Sequence, residues 1–331
     1  MDNSRPDLSL ILKDSFRYGS SAKTPDHTSN IYLLGYPITH SLAPVLHNTS
    51  FSAQKLPWTY HILESMEKQR LLNQLSQDTC IGAAVTMPHK VTFIPFVDEI
   101  TDEGIAIGAI NTVFIRRDDS GRRYIGTNTD SIGVREAFLQ NIATKEDLEY
   151  GKTKPALVIG GGGACRSAIY ALHRLLGVNE IYIVNRVRSE VDGIIASFAK
   201  LPSFHASLRF VEDISLAGAM PAPFFVVGTV PDCAPQTQGE ITASLCTREL
   251  LSRNGKKGVV LEMCYHPKIR TSFLDFSEDA GWTVIPGTEA LLWQGIVQQI
   301  LWTESEEVAS SAAIEEARRV IHGEIAKRAK S

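Results

Sequence analysis

Residues 156–177 read ALVIGGGGACRSAIYALHRLLG, and a second apolar run, NEIYIVNR, follows at 179–186. An apolar strand stops at four consecutive glycines. A helical stretch then places apolar residues at Ile169, Ala171, Leu172 and Leu175, and a second apolar strand completes a βαβ unit of about 30 residues. Glycines at the junction let backbone N–H groups meet a pyrophosphate at the start of the helix, where any side chain would hold the phosphates off. The unit is half of a nucleotide-binding fold. The runs FFVVGTV at 224–230 and GVVLEMCY at 258–265 extend the same parallel sheet.

With 331 residues the chain exceeds the ~250–300 that one hydrophobic core usually supports, so two domains are expected. Upstream of the glycine unit, strands at 31–35, 58–63 and 81–87 alternate with helices over 43–54 and 66–76, the pattern of an α/β domain. AINTVFIRRDDSGRRYIGTNTD reads as two strands around an Asp-Asp-Ser-Gly turn. From 288 to 328 the pattern is helical, and residues 1–29 lack sustained periodicity and are expected to form a loosely ordered leader.

Charged residues make up 21% of the chain and the formal charge is −4. That balance offers no electrostatic footprint for nucleic acid or an anionic membrane and points to a small-molecule partner. No apolar run is long enough to span a bilayer, and the start MDNSRPDLSLILKDSF lacks the basic and apolar regions of a signal peptide, so a cytoplasmic location is expected. The five cysteines are scattered without metal-ligand spacing and read as thiols of a reducing compartment, with no metal expected.

IGAAVTMPHK, residues 81–90, ends an apolar strand in Thr86, His89 and Lys90. A strand that merely fills a core needs no polar cluster at its tip, so something polar is expected there. After the second strand of the glycine unit come Asn185-Arg186-Val187-Arg188, two cations and no immediate acid. That turn favours the 2′-phosphate of NADP over the 2′-hydroxyl of NAD.

In order and spacing, GYPITHSLAPVLHN, AVTMPHK, GAINTV, GTNTD, GGGGACR with its later NR, MCYHP and GTEALLWQG resemble the shikimate/quinate dehydrogenases, the fungal members above all. The resemblance covers residues 30 to about 303. It implies an α/β substrate domain over 30–130 completed by 288–331, a Rossmann-like NAD(P) domain over 131–287, and an active-site cleft between them. Residue by residue it implies Lys90 and Asp130 as the catalytic pair. Ser41, Thr86, Asn111, Tyr265 and Gln294 match substrate positions, with Ala43 in place of a second carboxylate-binding serine. Gly160, Gly161, Gly162, Gly163, Ala164 and Arg166 match the phosphate loop, Asn185, Arg186 and Arg188 the adenosine side, and Thr229 and Gly287 complete the cofactor set.

The chain departs from the family pattern at three points. Ser41-Leu42-Ala43 is one hydroxyl short, Ala84 replaces a common asparagine, and Gly228-Thr229-Val230 stands where Asn-Ala-Thr is usual. The first two bear on substrate choice, and Ala43 leans it toward quinate; the third bears on nicotinamide contacts. The resemblance implies an NAD(P)-dependent dehydrogenase that interconverts quinate or shikimate and the 3-dehydro ketone, acting as a monomer or homodimer. The competing reading is a dehydrogenase-like sensor that binds the polyol without turnover.

Overall fold

The computed structural model describes residues 8–21, 27–119, 121–265 and 268–328. It forms two compact units, Met1–Thr129 with Leu291–Ser331, and Asp130–Ala290. Asp130 therefore opens the second unit, whereas the sequence expectation closes the first domain on it.

The first unit holds a six-stranded mixed sheet of β1 (Ser29–Gly35), β2 (Trp58–Glu64), β3 (Cys80–Val85), β4 (Glu99–Ile100), β5 (Thr112–Asp118) and β6 (Gly121–Thr127), in the order β2-β1-β3-β5-β6-β4. β1 runs parallel to β2 and β3, while β5 pairs antiparallel with both β3 and β6. All six residues of β3 are buried, as expected for a strand covered on both faces. Leu34, Leu71, Val85, Phe93 and Val113 form the core beneath it. The antiparallel β5 and β6 follow the expected hairpin, with Val113 and Ile115 of one arm and Tyr124 of the other packed on that core.

The leader expectation does not hold over residues 8–21. Ser9–Ser15 is a helix and Phe16–Tyr18 a 3₁₀ turn. Leu8 is buried, and the Glu304 carboxylate accepts hydrogen bonds from the Ser21 N–H and the Ser20 hydroxyl, both at 2.8 Å. Glu304 also pairs at 3.1 Å with Arg116, which is 1% exposed. Long-range polar ties of this kind leave no periodic trace in a sequence. Residues 1–7 and 22–26 of the expected leader lie outside the described residues.

The second unit holds a fully parallel sheet of β7 (Ala156–Ile159), β8 (Glu180–Val184), β9 (Ser207–Phe210), β10 (Phe225–Gly228), β11 (Val259–Glu262) and β12 (Thr283–Pro286), in the order β12-β11-β10-β7-β8-β9. The chain winds outward from β7 through β8 and β9, then returns to β10 and winds the other way. Such a doubly wound α/β sheet has its switch point between β7 and β10, the place where ligands of these folds bind beyond the strand ends. Val158, Ile183, Val227 and Leu261 bury one face against Phe138, Ile169 and Leu172. Among the described residues no helix is long and apolar enough to cross a membrane.

Candidate functional site

In the first unit the polar tip of β3 is pinned from several sides. Thr86 N–H donates to Leu34 O, Tyr36 N–H to Met87 O and His89 N–H to Thr86 O, at 2.8, 3.0 and 2.8 Å. His89, 2% exposed, donates from Nε2 to Ser65 O at 2.9 Å. Lys90 O accepts from Ile110 N–H at 2.8 Å. His89 thus anchors the turn that carries Lys90, a task the sequence showed only as a third polar residue. Gly35 allows the close approach of β1: a Cβ there would lie 2.3 Å from the Thr86 methyl and 2.9 Å from Met87 O.

Asn111 stands at the start of β5, one residue after Ile110, and is buried. Its Nδ2 donates to Thr129 Oγ1 at 2.9 Å and Gln294 Oε1 at 3.2 Å. Its Oδ1 accepts from Thr129 N–H and from the Thr112 hydroxyl, both at 2.8 Å. Gln298, one helical turn beyond Gln294, donates to Thr112 Oγ1 at 2.9 Å. Asn111 and Gln294, expected from the sequence, therefore meet, and Thr112, Thr129 and Gln298 join them. Thr129 was visible in the GTNTD run and Gln298 in its i, i+4 spacing from Gln294. An amide has two donors and two acceptor lone pairs, so an incoming polyol must displace partners from Asn111.

Ser41 and Ala43 lie at the start of the helix Ala43–Ala53, where Ser41 Oγ accepts from Ala43 N–H at 3.2 Å. The Ala43 methyl is buried. The preceding turn is held by Glu64, whose carboxylate accepts from Ile38 N–H at 2.6 Å and from the Thr39 N–H and hydroxyl at 2.8 Å. Those bonds, the Ile38 amide foremost, hold the Glu64 carboxyl below its ordinary range. Glu64 is a residue that sequence reading missed, since an acid at a strand end carries no motif.

In the second unit Gly160 and Thr229 face each other across the switch point. Thr229 donates its hydroxyl to Ile159 O at 2.7 Å, and a Cβ on Gly160 (φ +132°) would lie 2.2 Å from Thr229 Oγ1. Gly162 has nothing within 4 Å of where a Cβ would stand, so open space adjoins the backbone N–H groups at the start of the helix Gly163–Tyr170. That combination fits a dinucleotide pyrophosphate. Ala164 lies in the first turn of this helix, and Arg166 turns back to donate to Ser197 Oγ at 2.7 Å. Gly287 opens the helix Gly287–Thr303, and a Cβ on it would lie 2.6 Å from Glu262 O and Met263 O.

Asn185 and Gly161 also come together, and Glu190 joins them. Asn185 Nδ2 donates to Glu190 Oε2 at 2.6 Å, and a Cβ on Gly161 would lie 2.4 Å from Asn185 Nδ2 and 2.5 Å from Glu190 Oε2. The turn that reads as free of acid in sequence thus has a carboxylate, delivered by the first turn of the helix Arg188–Phe198. Arg186 and Arg188 each meet other acids. Arg186 pairs with Glu240 at 2.5 Å, and Arg188 pairs with Glu212 and lies over the Phe210 ring.

Asp130 is buried in the first turn of the helix Asp130–Asn141. Tyr265 follows β11 and is half-buried. The same unit carries Glu262, 3% exposed at the end of β11. Burial pushes its carboxyl up to about 8, against the opposing Cys264 N–H, which donates to Oε1 at 2.9 Å. A carboxyl in that range stays protonated near neutrality.

Residues 33–113 match the family described as the shikimate dehydrogenase substrate binding domain. A quinate dehydrogenase of Emericella nidulans is 41% identical over 321 residues, covering 92% of this chain and 97% of that protein. The solved dehydroquinate dehydratase and shikimate dehydrogenase from S. pombe is 29% identical with a TM-score of 0.69, over 89% of this chain and 53% of that longer one. Shikimate 5-dehydrogenase from Thermus thermophilus, solved with NADP(H) and shikimate, is 26% identical with a TM-score of 0.67, over 88% of this chain and 99% of that one. A mixed-sheet unit with a pinned Lys90 turn, a doubly wound unit with a glycine cradle, and a near full-length relative agree: the chain belongs to the shikimate/quinate dehydrogenase family.

Proposed function

We propose that this protein is an NAD(P)-dependent dehydrogenase that oxidises quinate, and shikimate less well, to the 3-dehydro ketone, and catalyses the reverse. The observation that carries the reading is the buried Asn111–Thr129–Gln294 cluster one residue from Ile110, the amide that holds Lys90 O. It offers a hydroxylated ring a set of preplaced polar partners beside a lysine. Thr86, Asn111 and Gln294 bind the ring hydroxyls or carboxylate, Ser41 holds the carboxylate, and Tyr265 is a further substrate contact.

Oxidation removes a hydride from the carbinol carbon and a proton from its oxygen. A nicotinamide dinucleotide, NADP or NAD, supplies the hydride acceptor when bound. Lys90 orients the alcohol oxygen, and Lys90 with Asp130 carries the proton. The cradle of Gly160, Gly161, Gly162 and Gly163 receives the pyrophosphate. The lean toward quinate rests on Ala43 and on the curated relative. Quinate has a tetrahedral C1 with an extra hydroxyl that needs room beside the carboxylate, and alanine provides it. The location consistent with this reading is the cytoplasm.

The test is a turnover panel, with quinate and shikimate as substrates and each dinucleotide as acceptor, followed by nicotinamide absorbance. Turnover with quinate is the expected result. Polyol binding without turnover under every combination would replace the enzyme with a sensor.

A further inference from the structure

Gln298 lies in the helix Gly287–Thr303 and is 2% exposed. Its Nε2 donates to Thr112 Oγ1 at 2.9 Å and reaches Asn111 O at 3.5 Å, whereas its Oε1 is buried without a hydrogen bond among the described residues. A buried amide oxygen in that state destabilises a fold, so packing alone favours an apolar residue here. The side chain lies beside the fully buried His47 ring. His47 Nδ1 accepts from Gln299 Nε2 at 3.2 Å, which leaves the proton of the neutral ring on Nε2, itself without a hydrogen bond. His47 Nε2 and Gln298 Oε1 would satisfy each other, yet the bonds that Gln298 makes go to β5, at Asn111 and the residue after it.

The polarity of the site follows from that donor. Thr112 has a single hydroxyl proton. With Gln298 Nε2 on one lone pair of Oγ1, the proton is directed to Asn111 Oδ1 at 2.8 Å, which also accepts from Thr129 N–H at 2.8 Å. Two donors on Oδ1 fix the amide and leave Nδ2 toward Gln294 Oε1 and Thr129 Oγ1, the partners that a polyol replaces. Without Gln298, the Thr112 hydroxyl can turn its proton to Thr129 Oγ1, 3.3 Å away, and Oδ1 keeps one donor. We propose that Gln298 is a positioning residue for the polyol: acting through Thr112, it holds the Asn111 amide in the orientation that presents Nδ2 to a substrate oxygen.

This rests on the reading of Asn111 as a substrate contact and adds the residue that aims it. Isothermal titration of the intact protein with quinate, shikimate, NAD⁺ and NADP⁺, beside steady-state turnover, tests it in Gln298→Met, Thr112→Val, their double variant and Thr112→Ser. Gln298→Met and Thr112→Val should each weaken polyol binding about tenfold and leave dinucleotide affinity within about twofold. KM should rise with that loss while kcat stays within about threefold, because hydride and proton transfer run through other groups. The double variant should bind the polyol within about twofold of either single one, since both changes break one relay. Thr112→Ser, which keeps the hydroxyl, should stay within about threefold of wild type. Polyol affinity unchanged in both single variants, multiplied losses in the double variant, or an equal loss of dinucleotide affinity would overturn the proposal. Quinate and shikimate affinities untouched by Asn111→Ala would remove the reading of the cluster as a polyol site, and the proposal with it.

Discussion

At the scale of single residues, the site depends on atoms that approach closely because a side chain is missing. Gly35→Ala would bring a methyl within 2.3 Å of the Thr86 methyl and 2.9 Å of Met87 O. The turn bearing Lys90 must then shift, and overpacking of this kind costs about 1–3 kcal/mol. Urea unfolding should show that loss together with a larger fall in kcat than in polyol affinity; wild-type stability and turnover would mean that the turn is not tightly held. Ala43 provides the second residue-level test. A carboxylate-binding hydroxyl is worth about 1.5–3 kcal/mol, so Ala43→Ser should move the quinate-to-shikimate ratio of kcat/KM toward shikimate by roughly tenfold. A ratio unchanged within about twofold would remove Ala43 as the basis of quinate preference. Lys90 was legible as a residue from the polar cluster that ends its apolar strand, and Asn111 and Gln294 through the family resemblance. The roles of Glu64, His89 and Glu190 were not, because what they do depends on backbone atoms and side chains brought up by folding.

At the scale of elements, the sequence conveyed most strands and helices through periodicity and conveyed poorly what ties them together. Strands β1, β3, β7 and β10 follow apolar runs, and the helix Ala43–Ala53 lies within the expected 43–54. The helix Ser9–Ser15 was missed because polar bonds to Glu304 secure the segment after it, and pairing across that distance has no local signature. Arg116 is buried there among Ile115 O, Leu301 O and Glu304, and burial brings its guanidinium down to about 10. Removing one member of a buried ion pair leaves the other charge uncompensated, at about 3–5 kcal/mol. Glu304→Gln should therefore lower the unfolding free energy of the first unit by that amount and raise protease cleavage within residues 8–21. Unchanged stability in this variant would show that the leader is held by other contacts.

At the scale of the whole molecule, the two units should respond to pH with opposite signs, because each buries one group in its neutral form. His47 in the first unit is fully buried, with Nε2 lacking a hydrogen-bond partner among the described residues, and burial lowers it to about 3. The unfolded chain then binds a proton below about 6.5 that the folded unit refuses, so stability falls as the pH drops, by about 1.4 kcal/mol per unit. Glu262 in the second unit is raised to about 8. Its contribution is complete below about 4.5, the ordinary glutamate range, and is lost as the pH rises through 8. Acid should loosen the unit containing Trp58, Trp293 and Trp302 first, and alkali the unit containing Trp282. Unfolding followed across pH should show His47→Phe flattening the acid limb and Glu262→Gln the alkaline one; parallel limbs in wild type and variants would refute these assignments. Proton transfer by Lys90 and Asp130 is the claim on which the proposed function turns, and steady-state turnover of quinate by Lys90→Ala, beside its polyol affinity by titration, tests it most directly. General acid–base help is worth about 10²- to 10⁴-fold, so kcat should fall within that range while quinate still binds within about tenfold of wild type. Wild-type kcat in Lys90→Ala would contradict the proposed chemistry outright.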